Sequence, residues 1–206
     1  ARFDDRATGK VKEFCPNARI IHIDIDGAEI NKIKKADIAI QGDIKQAIKQ
    51  LLPLIEHNTR KKWTETIMDM REKYPISKNM KQDEQSPEAM IKKIGGFAGE
   101  EAIITTDVGQ HQMWVAQYYP FSKPRTLLTS GGLGTMGFGF PAAIGASLAN
   151  PGKKVICFSG DGSFLMNIQE LSTLSELKLD IKIIIFNNRH LGLVRQQQEY
   201  FYGKEY

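Results

Sequence analysis

Apolar and polar positions fall into blocks whose period switches between that of a strand and that of a helix. Ile20-Ile21-His22-Ile23-Asp24-Ile25 reads as a buried strand, Ala28 to Lys35 as a short helix and Ala36 to Gln41 as a second strand. From Asp43 to Ile55, Ile44, Ala47, Ile48, Leu51, Leu52 and Ile55 recur at helical spacing behind Asp43, a residue suited to capping a helix N-terminus. The stretch 59–86 is polar and carries Arg60-Lys61-Lys62, read as the solvated face of one helix from Lys61 to Lys73 that Pro75 ends. Ser86-Pro87 is a cap followed by proline at the first helical position, and that helix runs to about Phe97. Beyond it, Glu101 to Thr106, Val155 to Phe158 and Ile181 to Phe186 read as strands, followed by Asp107, by Ser159-Gly160-Asp161 and by Asn187-Asn188 respectively. Strands alternating with helices predict an α/β chain with a parallel sheet. The expected organisation is residues 1–58 as part of a Rossmann-like domain, 59–86 as a connector and 87–206 as a second domain. One strand-helix-strand-helix piece cannot cover both faces of its sheet, so a partial chain is expected.

Bulk properties narrow the picture. A net charge of +4 is spread along 206 residues rather than massed with aromatics, which disfavours nucleic-acid binding. No window has the ~18 consecutive apolar residues of a membrane span. Cys15 and Cys157 match no metal-ligand spacing and suggest reduced thiols in a cytoplasmic protein.

The stretch with the most chemistry runs from Gly160 to Asn188. Two parallel strands joined by a crossover helix bring their C-terminal tips together, so Asp161 and Asn188, 27 positions apart, are expected to be neighbours at the crevice where open α/β sheets bind ligands. A carboxylate and an amide oxygen are hard ligands, few enough to leave positions on Mg²⁺ for water and phosphate oxygens. Gly160 and Gly162 flank the Asp and are expected to permit positive φ and close approach of backbone N–H groups, with Ser163 following. Taken singly, Gly-Asp-Gly and Asn-Asn are ordinary turn chemistry; the pair, each after a strand, points to a metal-bridged diphosphate site.

Two further stretches support it. Asp107-Val108-Gly109-Gln110-His111 follows a strand and opens a helix, an anion-receptive arrangement, although His111 alone reads as a solvent-facing helix residue. Ser130 to Gly139 holds five glycines in ten residues, which costs chain entropy unless close backbone approach requires it. Leu133, Met136 and Phe138 in the same run argue against a solvated linker. Trp114, Tyr118 and Tyr119 are read as packing.

Gly160-Asp161-Gly162 followed after 25 residues by Asn188 resembles the thiamine diphosphate motif of a superfamily of decarboxylases, oxidases and carboligases. Ser159 to Phe164, Asn167 to Leu171 and Asn187-Asn188 through Leu191-Gly192-Leu193-Val194-Arg195-Gln196 are similar to the catalytic large subunits of the acetohydroxyacid (acetolactate) synthase family, over nearly the whole chain. The resemblance implies a three-layer α/β/α cofactor-binding domain after part of a FAD-contacting central domain. It implies thiamine diphosphate held by Gln110, His111, Gly134, Met136, Gly160, Asp161, Gly162, Ser163, Asn188 and His190, and Mg²⁺ on Asp161, Asn188 and the His190 carbonyl. Gly134 and Met136 are the expected catalytic contacts, the first accepting from the aminopyrimidine and the second forcing the bent cofactor conformation.

FAD is expected at Arg2, Asp24 and Asp43; position alone favours caps and turns for the two aspartates. Gly27 stands where the family usually carries Pro, a change expected to loosen the helix start. Leu193, Val194 and Gln197 are the expected substrate pocket, Gln197 replacing the family's usual Trp. The implied reaction decarboxylates pyruvate and joins the two-carbon unit to pyruvate or 2-oxobutyrate. A homodimer or homotetramer and a small ACT-type regulatory subunit are the implied partners. The family's catalytic glutamate is expected outside these residues, so the chain alone is expected to be inactive. Glyoxylate carboligase, pyruvate oxidase and a non-catalytic nucleotide-binding module are the alternatives.

Overall fold

Every strand pairing among the described residues is parallel, as the alternation of strands and helices predicts. The structure, a computed structural model, describes residues 3–75 and 85–206; Arg2 and the polar stretch 76–84 lie outside the described residues. The chain divides into two units, residues 1–69 and 70–206.

In the first unit a short helix α1 (Asp5–Thr8) precedes strands β1 (Ile21–Asp24) and β2 (Ile38–Gln41), paired with Ile21 opposite Ile38. The helix expected from Ala28 to Lys35 does not form. Asp26 spends its carboxylate on the Ala28 N–H, the backbone bonds there span three residues, and Asn31 turns to φ 63° with its side chain accepting from Ala36. Local Asx bonding has displaced the helical ladder. Helix α2 (Ile44–Leu51) has Asp43 as its cap, Oδ1 accepting from Gln46 N at 3.0 Å. It stops four residues short of Ile55 because Pro53 cannot continue the ladder, and Leu52–Leu54 tighten into a 3₁₀ turn. Helix α3 (Lys61–Lys73) has the predicted bounds.

The second unit is built on a sheet in the order β4-β3-β5-β6, from β3 (Ile103–Thr106), β4 (Leu127–Thr129), β5 (Val155–Gly160) and β6 (Ile181–Phe186). Successive side chains of a strand point to opposite faces, and two cores result. Ile104, Ile156 and Phe158 face helices α4 (Pro87–Ala98) and α5 (Gln110–Tyr118), meeting Ile91, Val115 and Tyr118. Ile103, Val155 and Cys157 face the other way, against Phe140, Ala143 and Ile144 of α6 (Gly139–Ala149) and Phe164 of α7 (Asp161–Leu165). Helix α8 (Glu170–Glu176) adds Leu174 to that side, and α9 (Gly192–Phe201) follows β6. The result is three layers, α/β/α.

This topology selects the site. The connection leaving β3 runs over one face through α5, and that leaving adjacent β5 runs over the other through α7 and α8. Loops that diverge from neighbouring parallel strands open a crevice at their C-terminal ends. No helix among the described residues is long and apolar enough to cross a membrane.

Candidate functional site

The register places Thr106 beside Phe158 and Gly160 beside Phe186, so the residues just past β3, β5 and β6 meet at one end of the sheet. Asp161 and Asn188 therefore stand one and two residues beyond a paired position, and both line a single cleft.

The β3–α5 loop forms one wall with Val108, Gln110 and His111. His111 is buried rather than solvent-facing, at 4% exposure, and its Nε2 has no hydrogen-bond partner. Burial holds the imidazole pKa below its ordinary value, opposed by the Asp107 charge, a bond to the Asp107 backbone and the Asp161 charge. A neutral ring with an unsatisfied nitrogen inside a cleft is a group waiting for a polar ligand atom.

Gly160, Asp161, Gly162 and Ser163 form the base. Neither glycine has positive φ, contrary to expectation. Both stand in tight places instead: a Cβ on Gly162 would sit 2.6 Å from Leu191 Cδ2, and one on Gly160 3.1 Å from His111 Nδ1, so each neighbour would have to give way. Ser163 Oγ accepts from Gly160 N at 3.2 Å and fixes the turn.

The β6–α9 loop closes the opposite wall with Asn188, His190, Leu191, Leu193 and Val194. Two consecutive Asx bonds shape it, Asn187 Oδ1 accepting from Arg189 N and Asn188 Oδ1 from His190 N, both at 3.1 Å, with Arg189 at φ 63°. Asn188 Nδ2 reaches Gln110 Oε1 at 3.5 Å, joining the two walls. Gln197 is exposed and does not line the cleft, unlike Leu193 one helical turn before it. Trp114 both packs, edge to face on Phe186 at 5.9 Å, and lines the cleft.

The glycine-rich loop supplies the remaining wall with Gly134 (φ 67°) and Met136. Two residues to which the sequence pattern assigned no role of their own hold it. Asp107 accepts from Gly137 N at 2.8 Å and Gly139 N at 3.1 Å, and Asn167 Nδ2 donates to Gly137 O at 2.7 Å. A polar residue closing a strand was the available signal for Asp107; its partners lie 30 and 32 positions away and could not be read locally.

Of the residues expected to contact FAD, Asp24 Oδ1 accepts from Asp26 N at 2.9 Å and Asp43 caps α2, both in the first unit. Arg2 lies outside the described residues.

The donors in the cleft fit a diphosphate held through a hard cation. No trio of His, Cys, Asp or Glu able to hold a metal occurs among the described residues, so a cation at Asp161 and Asn188 would complete its shell with water and ligand oxygens, as Mg²⁺ does.

Comparison with known proteins agrees. The family model described as thiamine pyrophosphate enzyme, C-terminal TPP binding domain, matches residues 107–206, and that of the central domain of the same enzymes matches residues 1–51. The chain is 57% identical over 202 residues to the acetolactate synthase isozyme 1 large subunit of Escherichia coli, covering 98% of this chain and 36% of that protein. It is 50% identical to the acetolactate synthase large subunit of Lactococcus lactis (98% and 35% covered) and 45% identical to a chloroplastic acetolactate synthase of Zea mays (98% and 32%). It spans about a third of the length of the curated relatives it matches. With a parallel sheet, a switch-point cleft and these matches to two of its domains, the chain belongs to the thiamine pyrophosphate enzyme family and is similar to acetolactate synthase large subunits over nearly its whole length.

Proposed function

We propose that this chain holds thiamine diphosphate and Mg²⁺ in the switch-point cleft and is part of an acetolactate synthase catalytic subunit. The observation that carries the reading is the convergence of Asp161, Asn188 and the unpartnered His111 Nε2 on a cleft walled by Gly134 and Met136. Asp161, Asn188 and the His190 carbonyl would hold the cation. Gln110, His111, Gly160, Gly162 and Ser163 would meet the diphosphate, His111 through its unpartnered Nε2. Thiamine diphosphate supplies, when bound, the electron sink for decarboxylating a 2-oxoacid. Gly134 presents a backbone carbonyl to the ring portion, and Met136 gives it an apolar surface that excludes water.

Pyruvate is the proposed donor, with pyruvate or 2-oxobutyrate as acceptor. Leu193 and Val194 line the acceptor side, and Gln197, four residues after Leu193 on α9, puts an amide on the same helix face where an aromatic residue would extend the apolar wall. Little preference for 2-oxobutyrate and weak sulfonylurea sensitivity follow, and Gln197→Trp should raise both. FAD at Asp24, Asp43 and Arg2, a large-subunit dimer or tetramer, an ACT-type regulatory subunit and a cytoplasmic setting complete the reading, which is supported by similarity to the named large subunits.

The test is calorimetric titration of the chain with thiamine diphosphate, with and without Mg²⁺, beside Asp161→Ala and Asn188→Ala. Binding that needs Mg²⁺ and is lost in both variants is expected, with acetolactate formed from pyruvate by the subunit that carries this chain. Metal-independent binding that survives Asp161→Ala would overturn it.

A further inference from the structure

Asp107 stands one residue past β3 with 0% of its surface exposed. Its carboxylate accepts three backbone N–H groups, from Val108 and Gly137 at 2.8 Å each and from Gly139 at 3.1 Å. From the far side, Asn167 Nδ2 donates to Gly137 O at 2.7 Å. Residue 137 is thus held at both its N–H and its carbonyl, by side chains from two different connections. The fit is tight. Gly137 sits at φ 88° with a Cβ position 2.6 Å from Asn167 Nδ2, and a Cβ on Gly139 would meet Asp107 N at 2.5 Å. Burying a carboxylate is costly unless its oxygens are satisfied, and an acceptor-only group suits a place where three N–H donors converge.

What the grip controls is the segment just before it. Gly134 and Met136 line the cleft, and the run from Ser130 to Phe140 carries no charged side chain. The polar groups for an anion lie on other connections, at Gly160 to Ser163 and at Asn188. The glycine-rich loop therefore meets the non-anionic portion of a ligand whose anionic end is held elsewhere. We propose that Asp107 and Asn167 are positioning residues, a carboxylate–amide clamp that preforms the Gly134–Met136 wall for the rings of the cofactor without touching its diphosphate. This rests on the cofactor reading above.

The experiment compares Asp107→Asn and Asn167→Ala with the unaltered chain in two measurements: backbone amide exchange, and calorimetric titration with Mg²⁺–thiamine diphosphate and with Mg²⁺–inorganic diphosphate. Losing one hydrogen bond of the clamp should speed exchange across residues 134–139 and weaken thiamine diphosphate by about tenfold. Inorganic diphosphate should bind within about twofold of the unaltered chain, and exchange in β3 and β5 should not change. Unaltered loop exchange with unaltered thiamine diphosphate affinity overturns the clamp. Equal loss of both ligands, with faster exchange in the strands, also overturns it, since Asp107 would then serve the fold alone. If the unaltered chain binds neither ligand, the cofactor reading fails separately, and acceleration confined to residues 134–139 still decides the clamp. Should Asp107→Asn fail to fold, Asn167→Ala carries the same two measurements from the other jaw.

Discussion

Strands β1 and β5 both grow out of apolar runs, Ile20-Ile21 and Val155-Ile156-Cys157-Phe158, yet they end in different surroundings. In β1, Ile21 is 58% exposed, whereas in the second unit Ile104 and Phe158 are fully buried. The helices repeat the contrast. Helix α2 carries a clear apolar stripe and buries none of it, while α4 seats Ile91 fully within a core. Among the described residues, every buried hydrophobic side chain lies at Ile91 or beyond. An apolar run states which surroundings a strand tolerates; the number of layers packed on it decides what it receives. The cleft is built on the unit with two covered faces, where strand ends are held firmly enough to aim three loops at one point.

The contrast breaks first at the core. Phe158→Ala should cost about 3–5 kcal/mol, read as the urea midpoint of the second unit, whereas Ile48→Ala on α2 should stay within about 0.5 kcal/mol. Equal costs would mean that the apolar stripe of α2 is covered in solution.

Cys157 sharpens it next. Burial, chiefly, raises its thiol to about 11 from 9.0, with the Asp107 charge adding and a Thr105 hydrogen bond opposing. The unfolded chain therefore ionises first as pH rises. The thiol's contribution is complete below pH 9 and lost through about pH 11, on the order of 3 kcal/mol for two units. Stability curves of the chain and of Cys157→Ala should converge over that window, and in native protein at neutral pH a thiol reagent should modify exposed Cys15 alone.

Helix caps come third. Ser86→Ala, at a buried cap whose Oγ accepts from Ala89 N, should cost about 1 kcal/mol or more, and Asp43→Ala at its exposed counterpart less, both read by thermal denaturation.

The smallest effect is at acid pH. Burial lowers the pKa of His111 below 6.5, so the unfolded chain takes up the proton first; the neutral ring's contribution is complete above pH 6.5 and lost as pH falls through the folded value. His111→Gln should flatten that part of the stability profile, and an unchanged profile would show that the ring reaches water.

Much of the site was legible because its residues sit where short-range rules apply. Asp161 and Asn188 each follow a strand by one or two residues, and a parallel crossover brings such positions together. The helix bounds at Lys61–Lys73 and the Ser86 cap were legible for the same local reason. Less visible was the competition between alternatives of similar energy: the helix expected at Ala28 gave way to Asx bonding by Asp26 and Asn31. The reason for Gly160 and Gly162 was also hidden, since Leu191 and His111 take up the space beside them only after folding.

By itself the sequence determined the order of β1, β2, β3, β5 and β6 with helices α2, α3 and α4, the cap residues and the pairing of a carboxylate with an amide oxygen, because each depends on neighbours within a few positions or on the repeat of a βαβ unit. The tertiary structure alone decided that His111 turns inward with an unpartnered nitrogen, that Gln197 stays outside the cleft, and that Asp107 and Asn167 grip the glycine-rich loop. Those outcomes depend on groups from separate connections converging at one end of the sheet, and no local pattern encodes which of them will meet.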